Sequence, residues 1–125
     1  MAFAAWTKGT AALLLAVRAL ARAEGVEEAL LEEWQLSLPQ LAARSDRAAR
    51  SALGKGWRWV GEMHEIARTF AAAGLPAGFH EAAAEIYRRA PHEAADEDAL
   101  ERVLARLVSE KQGPTRGAGP PSSVL

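Results

Sequence analysis

Residues 2–25 read AFAAWTKGTAALLLAVRALARAEG, and this stretch decides the fold. Its middle, AALLLAV at residues 11–17, is apolar on every face of a helix. A helix with no polar side must be surrounded by protein, so this one is expected to be long and buried at the centre of the domain. Gly25 suits its C-terminal stop, where a left-handed residue is cheapest as glycine. Gly9 lies inside the helix and costs about 1 kcal/mol against alanine. A close backbone approach by another helix or a ligand would account for it. The same stretch also has the outline of a signal peptide, with Lys8 ahead of the apolar run and Ala-Arg-Ala at residues 21–23. Arg18 and Arg22 interrupt that outline and favour the buried helix. The interval from Lys8 to Arg18 is far short of the roughly 20 apolar residues of a membrane span. No membrane association is expected.

Working outward, the chain continues in helical periods, with about six helices in all. A second helix is expected at 26–37, with Val26, Leu30, Trp34 and Leu38 as its stripe and Glu27 and Glu28 at its positive end. Pro39 opens a third, to residue 53, because proline is tolerated in a first turn. Gly54-Lys55-Gly56 is read as a break. A fourth runs over 57–73, with Trp59, Met63, Ile66 and Phe70 on one face and Trp57, Val60 and Ala67 alongside, and Gly74 ends it. Pro76 opens a fifth, to residue 90, with Phe79, Ala83, Ile86 and Ala90 inward. Asp96 caps a sixth over 97–111, striped by Leu100, Val103, Leu104, Leu107 and Val108. Residues 112–125 lose the pattern and read as a tail. The fold class is therefore all-α, in one domain over residues 1–111.

Of the 125 residues, 50% are hydrophobic and 25% charged, and the net charge is −1. No basic field exists to hold a phosphate backbone, so nucleic acid is not an expected partner. With no cysteine, there is no disulfide or thiolate chemistry, and a reducing cytoplasm is permitted. No glycine-rich turn follows a strand, which leaves no dinucleotide fingerprint and no P-loop.

Two segments concentrate chemical groups. Trp6, Thr7 and Lys8 place an aromatic ring, a hydroxyl and a cation together, suited to an anionic substrate or a proton relay. The plainer reading of that spacing is a surface lysine beside a core tryptophan. In WRWVGEMHE, residues 57–65, Arg58 and Glu62 stand one turn apart and can pair for about 0.2–0.5 kcal/mol. Glu62 and Glu65 share a face, which admits acid–base chemistry in form. His64, His80 and His92 are each followed by glutamate, but none has a second histidine at zinc-site spacing. His80 is the one of interest, as a hydrogen-bonding or substrate-facing group or simply as a histidine at a helix start.

Four segments in order carry a resemblance: AAWTKGTAALL (4–14), GVEEALLEEW (25–34), WRWVGEMHEIA (57–67) and GLPAGFHEAAAEIY (74–87). Over residues 1–107 the chain resembles the C-terminal helical domain of 6-phosphogluconate-dehydrogenase-like NAD-binding proteins, of the β-hydroxyacid dehydrogenase superfamily. The resemblance implies an N-terminal Rossmann domain that binds NAD or NADP, with the active site in the cleft between the domains. It also implies a small hydroxy-acid substrate and a homodimer formed through the helical domains. The superfamily's catalytic lysine is expected just before Met1, so it and the nucleotide domain are missing here. Its usual asparagine falls on Ala4, a glutamate acid near Thr7, and a second lysine on Glu62. That leaves Lys8 as the catalytic candidate, with Trp6, Thr7, Glu62 and His80 as substrate-binding candidates. The chain alone is expected to hold no cofactor and to be inactive. The alternative is a standalone helical homodimerisation module.

Overall fold

A computed structural model describes residues 1–109, which are 81% helix with no strand among them. Five helices follow in order: α1 (Ala2–Ala23), α2 (Glu27–Ser37), α3 (Leu41–Ala72), α4 (Gly78–Arg89) and α5 (Ala99–Ser109). The tail expected over 112–125 lies outside the described residues, as does the end of the sixth expected helix.

The expected third and fourth helices are one. α3 runs unbroken for 32 residues through Gly54 and Gly56. Its buried face explains why, since Ala48, Ala49, Ala52, Leu53, Gly56, Met63, Ile66 and Ala67 fall on one side throughout. A mid-helix glycine costs only about 1 kcal/mol, less than burying such a face returns. Gly56 also has a packing role. A Cβ there would stand 3.3 Å from Cδ1 of Tyr87 on α4, so the missing side chain admits the tyrosine ring.

Glycine does end α1 and α3. Gly25 and Gly74 take left-handed φ values of 74° and 80°. After α1, the Val26 N–H donates to the Ala21 carbonyl and Gly25 N–H to Arg22. After α3, Leu75 donates to Phe70 and Gly74 to Ala71. Both are Schellman ends, which satisfy carbonyls that a helix terminus otherwise leaves open. α5 begins at Ala99 and not at the expected residue 97, so Asp96 stands in the turn ahead of the helix, where its carboxylate accepts the Asp98 N–H at 2.9 Å.

The core is built on α3, against which α1, α4 and α5 all pack. Leu15, Leu53, Met63, Ile66, Tyr87, Val103 and Leu104 are fully enclosed. α1 is less enclosed than its composition suggests: Leu13 is 63% exposed, and Phe3 and Leu20 also face outward. Phe79, expected inward, is 72% exposed, and Trp57 is exposed too. Of the α2 stripe, only Trp34 is buried. By length and composition α1 is apolar enough to cross a membrane, with a mean hydropathy of 1.2. Its usable apolar length thus exceeds the interval between Lys8 and Arg18. Both of those cations are engaged inside the fold. Arg18 is buried and donates to Ser45 on α3 and Glu27 on α2, each at 2.7 Å.

Candidate functional site

α1 shows two chemically different faces. At 100° per residue, Ala4, Thr7, Lys8 and Ala11 stack on one side, and Trp6, Gly9 and Leu13 on another. The five residues singled out in the sequence therefore divide between two sites.

The polar site is a pocket of about 390 Å³ between α1 and α3. Thr7, Lys8, Ala11 and Leu14 line it from α1, and Arg44, Arg47, Ala48, Ser51 and Trp59 from α3. Lys8 Nζ stands 2.7 Å from Glu62 Oε1 and 5.0 Å from the centre of the Trp59 ring. The expected surface lysine beside a core tryptophan is reversed in both halves: Lys8 is half-buried, whereas Trp6 is 68% exposed. Glu62 pairs with Lys8 and not with Arg58, whose guanidinium lies 5.8 Å from the Trp57 ring centre. Glu65 lies at the surface with Arg68, 3.6 Å away, so the two glutamates do not form a catalytic pair.

Tyr87 fixes this stretch of α1. Its hydroxyl donates to the Lys8 carbonyl at 2.6 Å, and its ring meets Trp59 edge-on. Burial, reinforced by the negative charge of Glu62, raises the Tyr87 pKa above its ordinary value, so the hydroxyl stays a donor. Trp59 is thereby held between Tyr87 and Lys8.

The second site is an apolar groove of about 670 Å³ between α1 and α4. Trp6, Gly9, Leu13 and Ala16 line one wall and Phe79, Ala82, Ala83 and Ile86 the other, with Phe70 and His80 at its base. His80 is only 7% exposed. Its Nε2 lies 3.0 Å from the Ala5 carbonyl, which makes Nε2 the protonated nitrogen, and its ring packs on Phe70. A Cβ on Gly9 would come within 2.7 Å of that nitrogen. The close approach expected at Gly9 is thus made by the His80 side chain. His80 acts as a brace between α1 and α4 and does not reach the polar pocket.

The other two histidines stand apart. His64 is exposed, and His92 stacks on Trp57 at 4.9 Å. Among the described residues, no group of three or more histidine, aspartate or glutamate side chains could hold a metal ion.

Arg44, Arg47 and Ser51 were not singled out in the sequence. They stand at i, i+3 and i+7 on α3, a recurrence that marks one helix face. Trp59 and Glu62 continue that side two to three turns later, which holds only if the helix is unbroken. A helix broken at Gly54–Gly56 would have no common register across these residues, so the pocket exists only in the continuous α3.

A family model described as a domain of unknown function, DUF1932, matches residues 21–90. The chain belongs to the DUF1932 family. This domain is found in the C-terminal region of 6-phosphogluconate dehydrogenase-like proteins. No curated protein and no solved structure matches the chain significantly. The matched part of this DUF1932 chain contains Arg44, Arg47, Ser51, Trp59, Glu62 and His80, while Thr7 and Lys8 precede it.

Proposed function

We propose that this chain is the substrate-side, dimer-forming domain of an NAD(P)-dependent oxidoreductase acting on a small hydroxy acid. The observation that carries the reading is the polar pocket on the Ala4–Thr7–Lys8–Ala11 face of α1. Membership of a family found beside dehydrogenase domains gives that pocket its context. Lys8 offers a cation to a substrate oxygen, and Glu62 holds it in place and provides a second position for its proton. Trp59 supplies an apolar wall. The described residues contain no strand and no glycine-rich turn before a helix, so they do not fit a dinucleotide. Hydride chemistry then belongs to a separate Rossmann domain, and no step of it is assigned to this chain.

The test is a titration of the 125-residue chain with 3-hydroxypropionate and 3-hydroxyisobutyrate, followed by amide NMR, beside turnover assays with NAD and NADP. The acids are expected to shift Thr7, Lys8 and the Trp59 indole, with no turnover. Turnover by the chain alone, or shifts confined to Trp6 and His80, would overturn the reading.

A second copy of the chain is the partner that the outer face of α1 fits. Phe3, Trp6, Thr10, Leu13, Val17 and Leu20 recur at alternating spacings of three and four residues. That is the seam of a helix meant to pack along another helix. The apolar groove adjoins this seam, so one helix can fill both. Light scattering after size-exclusion chromatography is expected to find a dimer at tens of micromolar, and Leu13→Glu a folded monomer. A wild-type monomer at that concentration would refute the assignment.

A further inference from the structure

We propose that Arg44 and Arg47 form an anion cradle that holds a second acidic group of the ligand, a phosphate or a second carboxylate. The inference rests on the reading of the polar pocket as a substrate wall for what the ligand is, but not for anion binding itself.

The argument begins with the fate of the cations. Among the described residues, the buried or half-buried ones are Lys8, Arg18, Arg22, Arg44, Arg89 and Arg102. Five have carboxylate partners: Lys8 on Glu62, Arg18 and Arg22 on Glu27, Arg89 on Glu85, and Arg102 on Glu93 and Asp96. Arg44 has none. A partly desolvated charge without a counter-ion is costly, and proteins ordinarily pair it. The missing counter-charge at Arg44 is therefore expected from outside the described residues, and a bound anion would supply it.

The surroundings agree. Arg44 and Arg47 open into the same pocket as Lys8, with the Thr7 and Ser51 hydroxyls as further donors. No carboxylate lines that pocket. Asp46, between the two arginines in sequence, lies about 160° around the helix from Arg44 and about 100° from Arg47, and it does not line the pocket. Guanidinium forks bind phosphate and carboxylate in the same planar, two-pronged way, so the shared chemistry is a compact oxyanion. A ligand that also reaches Lys8 carries a second oxygen function, which describes a phosphorylated or dicarboxylic hydroxy acid.

The test uses the 125-residue chain at low ionic strength, titrated by calorimetry with inorganic phosphate, malonate, acetate and chloride. Saturable binding of phosphate or malonate is expected at millimolar concentrations or below, roughly tenfold tighter than acetate. Binding of phosphate alone names a phosphorylated ligand, and binding of malonate alone a dicarboxylate. Arg44→Gln should weaken binding at least tenfold, with unchanged circular dichroism. Arg68→Gln, far along α3, should leave it unaltered. No saturation with either anion, or an equal loss in Arg68→Gln, would overturn the cradle. Because the assay needs neither cofactor nor turnover, a failed dehydrogenase reading would leave its result standing, and the reverse.

Discussion

At the scale of single residues, the glycines separate packing from propensity. Gly9, Gly54 and Gly56 all lie inside helices, and alanine is the better helix former at each by about 1 kcal/mol. Only the space around them differs. A Cβ at Gly54 meets nothing within 4 Å. Gly54→Ala is expected to stabilise the fold by about 0.5–1 kcal/mol. At Gly56 the added carbon presses on Tyr87, and at Gly9 it collides with the nitrogen by which His80 holds the Ala5 carbonyl. Gly9→Ala should therefore cost about 1–3 kcal/mol, as overpacking does. Denaturant unfolding of the two variants and the wild type checks the order Gly54→Ala, wild type, Gly9→Ala from most to least stable. Sequence alone placed a close approach at Gly9 but could not say what approached, because His80 is 71 positions away and only the packing of α4 on α1 brings it there.

At the scale of elements, helix ends were legible and helix continuity was not. Gly25 and Gly74 announce their own stops because left-handed backbone is a local property. Gly54 and Gly56 carry the same letter, but α3 continues because its tertiary partners reward the buried face. A local reading has no access to that reward. Charge links the elements in a similar way. Glu27 at the start of α2 receives Arg18 and Arg22 from α1, and Arg22 also reaches Glu101 on α5. Hydrogen bonding from Arg22, with a further bond from Arg18, brings the Glu27 carboxyl down to about 2 from its ordinary 4.5. Since its folded pKa is depressed, its contribution is complete above about pH 4.5 and is lost as pH falls towards 2. Melting temperature is expected to fall over that interval, and Glu27→Gln should flatten the profile while lowering the plateau above pH 5. A profile identical in slope to wild type would show that Glu27 does not link the helices.

For the whole molecule, α1 is the shared wall of everything described. One face meets the polar pocket, another carries the outward seam, and between them Ala12, Leu15 and Ala19 enter the core. The family match covers residues 21–90 and so leaves out most of α1 and all of α5. Among the large buried side chains that those two helices hold outside the matched span are Leu15, Val103, Leu104 and Leu107. At about 1.5–3 kcal/mol each, their loss removes about 6–12 kcal/mol, against a usual domain stability of about 5–15 kcal/mol. The matched span is thus expected not to fold by itself, although it contains most of the polar pocket. A fragment of residues 21–90 should show no cooperative thermal transition and rapid amide hydrogen exchange. Supplying residues 1–20 as a separate peptide should not restore it, because α5 would still be missing. A cooperative transition in the fragment would mean that α2, α3 and α4 close a core without α1. In that case Thr7 and Lys8 would be additions to a finished domain, no longer part of the structure that shapes the pocket.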